Sequence, residues 1–307
     1  MGLLDGRVAI VTGGGRGIGR AHALELAAHG ATIVVNDLGV GVHGEAATES
    51  PAEAVVAEIA ATGGTAVADG ASVTDWQGMR ALVAATVERF GRLDAVVNNA
   101  GIVRDRMITS LEEDDWDAVI AVHLKGTFTL TKHACDHWRA EAKRGSRVTG
   151  RIINTSSGAG LLGNAGQAPY GTAKAAIAGL TIITALEMQR YGVTANAVSP
   201  WARTRMTESL AAAAGEPAAT RAWDPLDPGN SSPVVAWLAS EDSGWLSGQV
   251  LRISGNTIWR MLPWSVDEPG YRAQGGERLQ ATEVPAAVRS LYGTLPLGIA
   301  AAPAPRL

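Results

Sequence analysis

Apolar residues fall in short blocks along the first 260 positions, and the blocks alternate between two periods. Arg7-Val8-Ala9-Ile10-Val11-Thr12 is a nearly continuous apolar run, the pattern of a strand buried on both faces. Ile18, Ala21, Leu24, Ala27 and Ala28 then recur at helical spacing, and Gly30 ends that helix. Thr32-Ile33-Val34-Val35-Asn36-Asp37 is a second apolar run, so the first 37 residues predict a βαβ unit.

The alternation continues. Ser50-Pro51 opens a helix through about Ala61, with Pro51 in the first turn, where its missing N–H is tolerated. Thr65–Ala68, Leu93–Val97, Arg151–Thr155, Val193–Val198 and Gln249–Ile253 read as strands. Helices are predicted over 75–90, 168–191 and 233–239. Ser110 and Glu113 have capping-box spacing ahead of a long helix reaching about Lys143. Strands alternating with helices imply an α/β fold, a single doubly wound parallel sheet of Rossmann type. The pattern stops near Arg260. Residues 1–260 are therefore read as one domain. Residues 261–307, with Pro263, Pro269, Gly270, Gly275, Gly276 and Pro285, are read as an irregular C-terminal tail.

Composition narrows the function classes. Net charge is −4 with no basic block, which argues against nucleic acid or an anionic membrane as partner. No apolar run approaches the roughly 18 residues of a bilayer span, and no signal-peptide pattern opens the chain. A soluble, cytoplasmic protein is expected. The single cysteine, Cys135, excludes an internal disulfide and a multi-cysteine metal site. Glycine is in surplus, at 37 of 307 residues, and its placement is informative.

Five glycines lie within Gly13–Gly19, between the first strand and the first helix. Glycine there lets backbone approach a pyrophosphate, and the helix N-terminus offers free N–H groups and positive dipole charge. Gly13, Arg16, Gly17, Ile18 and Gly19 are the candidate phosphate-binding residues. Asp37 ends the second strand, 18 residues after Gly19, where a carboxylate can accept hydrogen bonds from an adenosine ribose. It would repel a 2′-phosphate and so favours NAD; Leu38 follows it. Arg16 weighs the other way, because a basic loop residue can meet that phosphate.

Tyr170 and Lys174 stand at i and i+4, on one helix face. A lysine charge near a tyrosine stabilises the phenolate and lowers its pKa, which makes Tyr170 a usable general acid and base. Lys174 can also bind a nicotinamide ribose. Ser157 lies 13 residues before Tyr170, just past a strand end, at the sheet edge where such folds bind ligands. Its hydroxyl can polarise a carbonyl oxygen; Ser156 is the neighbouring candidate.

Thr-Gly-x-x-x-Gly-x-Gly at 12–19, Asn98-Asn99-Ala100-Gly101, Ser157 and Tyr170-x-x-x-Lys174 together resemble the short-chain dehydrogenase/reductase family over roughly residues 5–256. The resemblance implies a nicotinamide cofactor and a homodimer or homotetramer. It implies Tyr170 as acid/base, Lys174 as its electrostatic partner and ribose ligand, and Ser157 as carbonyl orienter. Asn99, Ala100 and Gly101 would line the cofactor, with Pro200 and Thr204 near the nicotinamide. A segment from Pro200 to about Asp227 would be a mobile substrate loop.

Two positions depart from the family pattern. His123 stands where an asparagine commonly serves a water-mediated proton relay; a neutral imidazole can take that task. Ala71 stands where an aspartate often meets the adenine, leaving Asp69, Ser72 and Val73 as its neighbours. Val122-His123-Leu124-Lys125-Gly126, Val35–Gly39, Ile102–Arg106 and Arg205-Met206-Thr207 resemble the hydroxyacyl-CoA dehydrogenase domain of peroxisomal multifunctional enzyme type 2. They also resemble actinobacterial relatives of steroid and acyl-CoA breakdown. The implied reaction is oxidation of a 3-hydroxyacyl-CoA or steroid-derived hydroxyl with NAD. The alternatives are an NADPH-dependent 3-oxoacyl thioester reductase, a free-hydroxysteroid dehydrogenase and a non-catalytic nicotinamide-sensing scaffold. His133 and His137 flank Asp136, but no further ligand pattern follows, so no metal is expected. The late tryptophans Trp223, Trp237, Trp245, Trp259 and Trp264 are read as core or subunit packing.

Overall fold

The structure is a computed structural model that describes residues 2–39, 50–203, 223–262, 264, 270–273 and 279–292. The chain divides into two compact units, Met1–Met261 and Leu262–Leu307. In the first, the opening elements are β1 (Val8–Thr12), α1 (Gly17–Ala28), β2 (Thr32–Asn36), α2 (Pro51–Ala61) and β3 (Thr65–Asp69). Next come α3 (Trp76–Phe90), β4 (Ala95–Asn98), α4 (Glu113–Ile120), α5 (Gly126–Lys143) and β5 (Arg151–Thr155). The unit closes with α6 (Gly158–Leu162), α7 (Ala168–Met188), β6 (Thr194–Trp201), α8 (Ser232–Ala239), β7 (Val250–Ser254) and β8 (Thr257–Met261).

The sheet has the order β3-β2-β1-β4-β5-β6-β7-β8. Every pair is parallel except β7–β8. The order reverses direction between β1 and β4, which opens a crevice at the carboxyl ends of those strands. The apolar runs of β1, β4 and β5 are buried at every residue, because helices cover both faces. On one face, Ala23 and Leu26 of α1, Val55 and Ile59 of α2, and Val235 and Leu238 of α8 pack on Val11, Ile33, Val97 and Ile253. On the other, Met79 and Leu82 of α3, Leu130 and Trp138 of α5, and Met188 of α7 pack on Ile10, Val34, Val96 and Ile152. Together α7 and the 3₁₀ turn after it are long and apolar enough to cross a bilayer. Ala173, Ile177, Thr181, Ala185 and Met188 of this helix are nonetheless buried inside the protein.

Local chemistry sets the ends. Ser50 Oγ accepts from Glu53 N, and Pro51 occupies the first turn of α2, as the sequence predicts. The helix expected from Ser110 is broken. Ser110 ends a 3₁₀ turn (Ile108–Ser110), and Glu112 is the N-cap of α4, with no side-chain cap. A π-helical turn, Ala121–Lys125, then separates α4 from α5. Hydrophobic periodicity survives such a turn, so it reads as one helix. The strand β8 is also additional. Its two-residue loop is Gly255-Asn256, with Gly255 at φ +54°, a known hairpin signal. In the second unit a helix, α9 (Val284–Tyr292), carries Pro285 in its first turn, where proline initiates rather than breaks.

Candidate active site

The glycine loop is built by close backbone approach. Gly13 has φ +61°, and a Cβ there would lie 2.8 Å from Ala100 Cα. A Cβ on Gly19 would collide with Gly13 O, so α1 can sit against the loop only with glycine at both positions. Arg16 is the N-cap of α1, and no side chain caps that end. The first-turn N–H groups therefore face the crevice as donors for an anion. Asp37 lies at this loop, accepting from Gly15 N at 2.9 Å and Gly39 N at 2.9 Å. Each bond leaves its oxygen a further lone pair. Leu38 beside it is half exposed.

The Asn98–Gly101 segment holds the loop from the other side. Asn99 Nδ2 donates to Thr12 O and Gly13 O, while Thr12 Oγ1 accepts from the backbone N–H of Asn99 and Ala100. Asn98 turns inward, donating to Asn154 Oδ1 at 2.8 Å and Thr131 Oγ1 at 3.0 Å. Asn154 in turn donates to Thr181 Oγ1 at 2.9 Å. This buried amide chain ties β4, β5, α5 and α7 together. The sequence signal for it was an asparagine inside one strand run, Arg151–Thr155, and another directly after a second, Leu93–Val97. Asp69 accepts from Asn36 Nδ2 at 2.6 Å and Ala71 N at 3.0 Å, which shapes the turn after β3. Ser72 Oγ pairs with Thr74 Oγ1 in that turn. Val73 is buried and packs where Gly126 leaves room for it.

Ser157, Tyr170, Lys174 and His123 come together, carried by the α6 N-cap, α7 and the π-helical turn. Ser157 lies close enough to Tyr170 to favour its ionised form, and its Oγ accepts from Ala159 N at 3.3 Å. Lys174 is buried, with Nζ donating to Thr155 O at 2.7 Å and lying 5.6 Å from the Tyr170 ring centroid. Ser156 serves the frame instead, donating to Lys174 O at 2.9 Å. The His123 ring stands edge-on to Tyr170, centroids 5.2 Å apart at 88°. Its Nε2 meets Ile102 N at 3.0 Å and Ile102 O at 2.7 Å. Its Nδ1 is buried without a partner in the protein. Gly101 is glycine because a Cβ would run into this imidazole.

Burial dominates the protonation of this cluster. Lys174 falls to about 7 through desolvation. His123 falls to about 3, first by desolvation and then by the Lys174 charge, so the imidazole is neutral. Burial raises the Tyr170 phenol, with Ser157 lowering it and Asp105 raising it further. The lowering by Lys174 expected from the i,i+4 spacing is thus reversed in this state. The ammonium lies 5.6 Å from the ring centroid and is itself desolvated.

Pro200 lies in β6, paired with Ile253 at the carboxyl edge. Thr204 and most of the Pro200–Asp227 segment, including Arg205-Met206-Thr207, fall outside the described residues. His133 serves packing, with Nε2 on Trp76 O at 3.1 Å and its ring edge-on to Trp76. Trp237 packs against the core, while Trp223, Trp245, Trp259 and Trp264 are exposed.

Residues 7–215 match the family description "short chain dehydrogenase". The chain belongs to the short chain dehydrogenase family. Among its relatives, hydroxyacyl-CoA dehydrogenase ChsB1 of Mycobacterium tuberculosis is 42% identical over 294 residues, covering 94% of this chain and 89% of that protein. The peroxisomal multifunctional enzyme type 2 of Mus musculus is 42% identical over 237 residues, which is 77% of this chain but 30% of that protein. A crystal structure of a short chain dehydrogenase from Mycobacterium avium superposes with a TM-score of 0.84 at 50% identity, covering 95% of this chain and 96% of that one.

Proposed function

We propose that this short chain dehydrogenase oxidises the secondary alcohol of a 3-hydroxyacyl-CoA, or a steroid-derived hydroxyl carried on such a thioester, with NAD. The observation that carries the reading is the convergence of Ser157, Tyr170, Lys174 and His123 beside the glycine loop. The name of the Mycobacterium tuberculosis relative, a hydroxyacyl-CoA dehydrogenase, supports the substrate class.

The residues present fit a dinucleotide. The uncapped first turn of α1 and the loop Gly13–Gly19 would take the pyrophosphate, and Asp37 the adenosine ribose. Asn99, Ala100, Gly101, Pro200 and Lys174 would border the nicotinamide end. When bound, the nicotinamide supplies the hydride acceptor. Tyr170, as phenolate, takes the hydroxyl proton. Ser157 donates to the same substrate oxygen and holds it at the phenol. Lys174, when charged, compensates the phenolate from its place 5.6 Å from the ring centroid. The neutral His123, with Nδ1 unpartnered, passes the proton outward through water. Asp37 favours NAD, since its carboxylate repels a 2′-phosphate.

The test is reduced-cofactor formation over hydroxyacyl-CoAs, steroid alcohols and 3-oxoacyl thioesters, with each cofactor in turn. A kcat/KM preference for NAD and hydroxyacyl-CoA is expected. Preference for NADPH with a 3-oxoacyl thioester would replace the reading with a reductase. Tight NADH binding without turnover of any alcohol or ketone would make the protein a nicotinamide-sensing scaffold.

A further inference from the structure

The sheet beneath α6 is polar where its neighbours are aliphatic. Val198 of β6 and Ile253 of β7 belong to the core under α1 and α8. Strand alternation then turns Ser199 and Arg252, which are register partners, to the α6–α7 face. Ser199 is fully buried, and its Oγ has no partner. Arg252 is partly buried, and its guanidinium lies against the residue that follows Ser157: a Cβ on Gly158 would stand 2.4 Å from Nη1. A Cα–Cβ bond is about 1.5 Å long and consecutive Cα atoms are about 3.8 Å apart, so Nη1 lies within roughly 8 Å of Ser157 Cα. Arg252 differs from the other arginines set into the sheet. Arg7 and Arg151 donate to backbone oxygens and a hydroxyl. Arg252 makes no hydrogen bond or ion pair among the described residues. Burial lowers its pKa, and no carboxylate offsets that. A cation drawn out of water without an acceptor is costly, and all its N–H donors remain for an oxygen that arrives with a ligand.

We propose that Arg252 receives the thioester carbonyl oxygen of a 3-hydroxyacyl substrate and is the residue that selects for it. The proposal rests on the hydroxyacyl reading given above. With the C3 oxygen held at Ser157 and Tyr170, the C1 carbonyl is two carbons away, within reach of a group that lies against Gly158. The phosphates of CoA stand at the far end of the pantetheine arm and are out of that range. A hydrogen bond from guanidinium to carbonyl is charge-assisted, and it strengthens where water is excluded. Ser199 leaves the neighbouring wall polar rather than aliphatic. A ring hydroxyl remote from the thioester offers no oxygen at this place. An alcohol without a carbonyl leaves the desolvated guanidinium unmet, which is how a polar site rejects an analogue lacking its partner. Arg252 thereby separates 3-hydroxyacyl thioesters from other secondary alcohols.

The experiment compares 3-hydroxydecanoyl-CoA with S-(3-hydroxydecyl)-CoA, a thioether that keeps the CoA and the hydroxyl but lacks the C1 oxygen. The kcat/KM for each is measured with NAD on wild type, Arg252→Met and Arg252→Gln. Wild type should favour the thioester by about tenfold or more, and Arg252→Met should remove most of that preference. If Arg252→Met fails to fold, Arg252→Gln substitutes, because it stays polar without the charge and should lower the ratio in the same direction. Affinity gives a second reading. In the NADH complex, Arg252→Met should weaken the Kd of 3-oxodecanoyl-CoA by about tenfold and that of S-(3-oxodecyl)-CoA by much less. A folded variant that lowers both substrates evenly, or a wild type that does not distinguish them, would make Arg252 part of the frame and overturn the proposal. The two readings fail differently. A wild type inert to 3-hydroxyacyl-CoAs of every chain length defeats the hydroxyacyl reading, whereas turnover of them with an unchanged ratio in the variants defeats this inference alone.

Discussion

The two edges of the central sheet bury polar residues to opposite ends. At the amino edge, Asp94 accepts from Val8 N at 2.8 Å and takes both arms of Arg92 at 2.7 Å. Arg7 donates to Asp94 O and twice to Thr149, and Arg151 donates to Ser240 O, Gly150 O and Glu241 O. Apart from Arg7 Nε and Thr194 Oγ1, the buried side-chain polar atoms described at this edge have partners. At the carboxyl edge, His123 Nδ1 is unpartnered and Lys174 is desolvated to about 7. Saturated polar groups fix a structure, and unsaturated ones keep affinity for something not yet there. The first edge holds the strands in place, and the second is left to act on a substrate.

The sharpest break of that contrast is at Tyr170. Tyr170→Phe should lose turnover by about 10²–10⁴-fold while its melting temperature stays close to wild type; initial rates and calorimetry check it. Asp94→Ala should do the reverse. It leaves the buried Val8 N–H without its acceptor and Arg92 without its partner, and should cost about 1–3 kcal/mol in denaturant unfolding, with turnover per folded molecule preserved.

The pH dependence of stability sharpens the comparison further. The pKa of Lys174 is about 7 when folded, below its ordinary 10.5. Between those values the unfolded chain binds the extra proton, so this residue's contribution to stability rises with pH from about 7 upward. Urea unfolding from pH 7 to 9 should show wild type gaining on Lys174→Met, by at most about 1.4 kcal/mol per pH unit. The smallest effect belongs to neither edge. Lys132 and Asp136 form a half-exposed i,i+4 pair on α5, and Lys132→Ala should change unfolding by no more than about 0.5 kcal/mol.

Much of this was legible in the chain. The doubly wound parallel sheet followed from apolar runs alternating with helical periods, because parallel strands must be covered on both faces. Tyr170 and Lys174 were legible as a pair on one helix face and Ser157 as a residue just past a strand end, and the family resemblance joined them into one site. The proton affinities were not. An i,i+4 lysine predicts a lowered phenol, but burial decides the sign, and burial is a property of the packed site. The hydrogen bond from Gln167 to Asp105 was hidden for a similar reason, since nothing local links two residues 62 positions apart. The π-helical turn that aims His123 was hidden, since one added residue barely disturbs a hydrophobic stripe.

The amide chain from Asn98 through Asn154 to Thr181 has a consequence for how the sheet assembles. Asn98 and Asn154 are register partners in β4 and β5. A slip of one residue would set each amide against an aliphatic neighbour and strand its donors in a dry interior, at roughly 1–3 kcal/mol for each unmet group. Hydrophobic contact alone barely distinguishes Val96-Val97 against Ile152-Ile153 from the same strands shifted. The asparagines make the misaligned sheet a poor resting place during folding, so the two strand ends that flank the crevice finish level with each other.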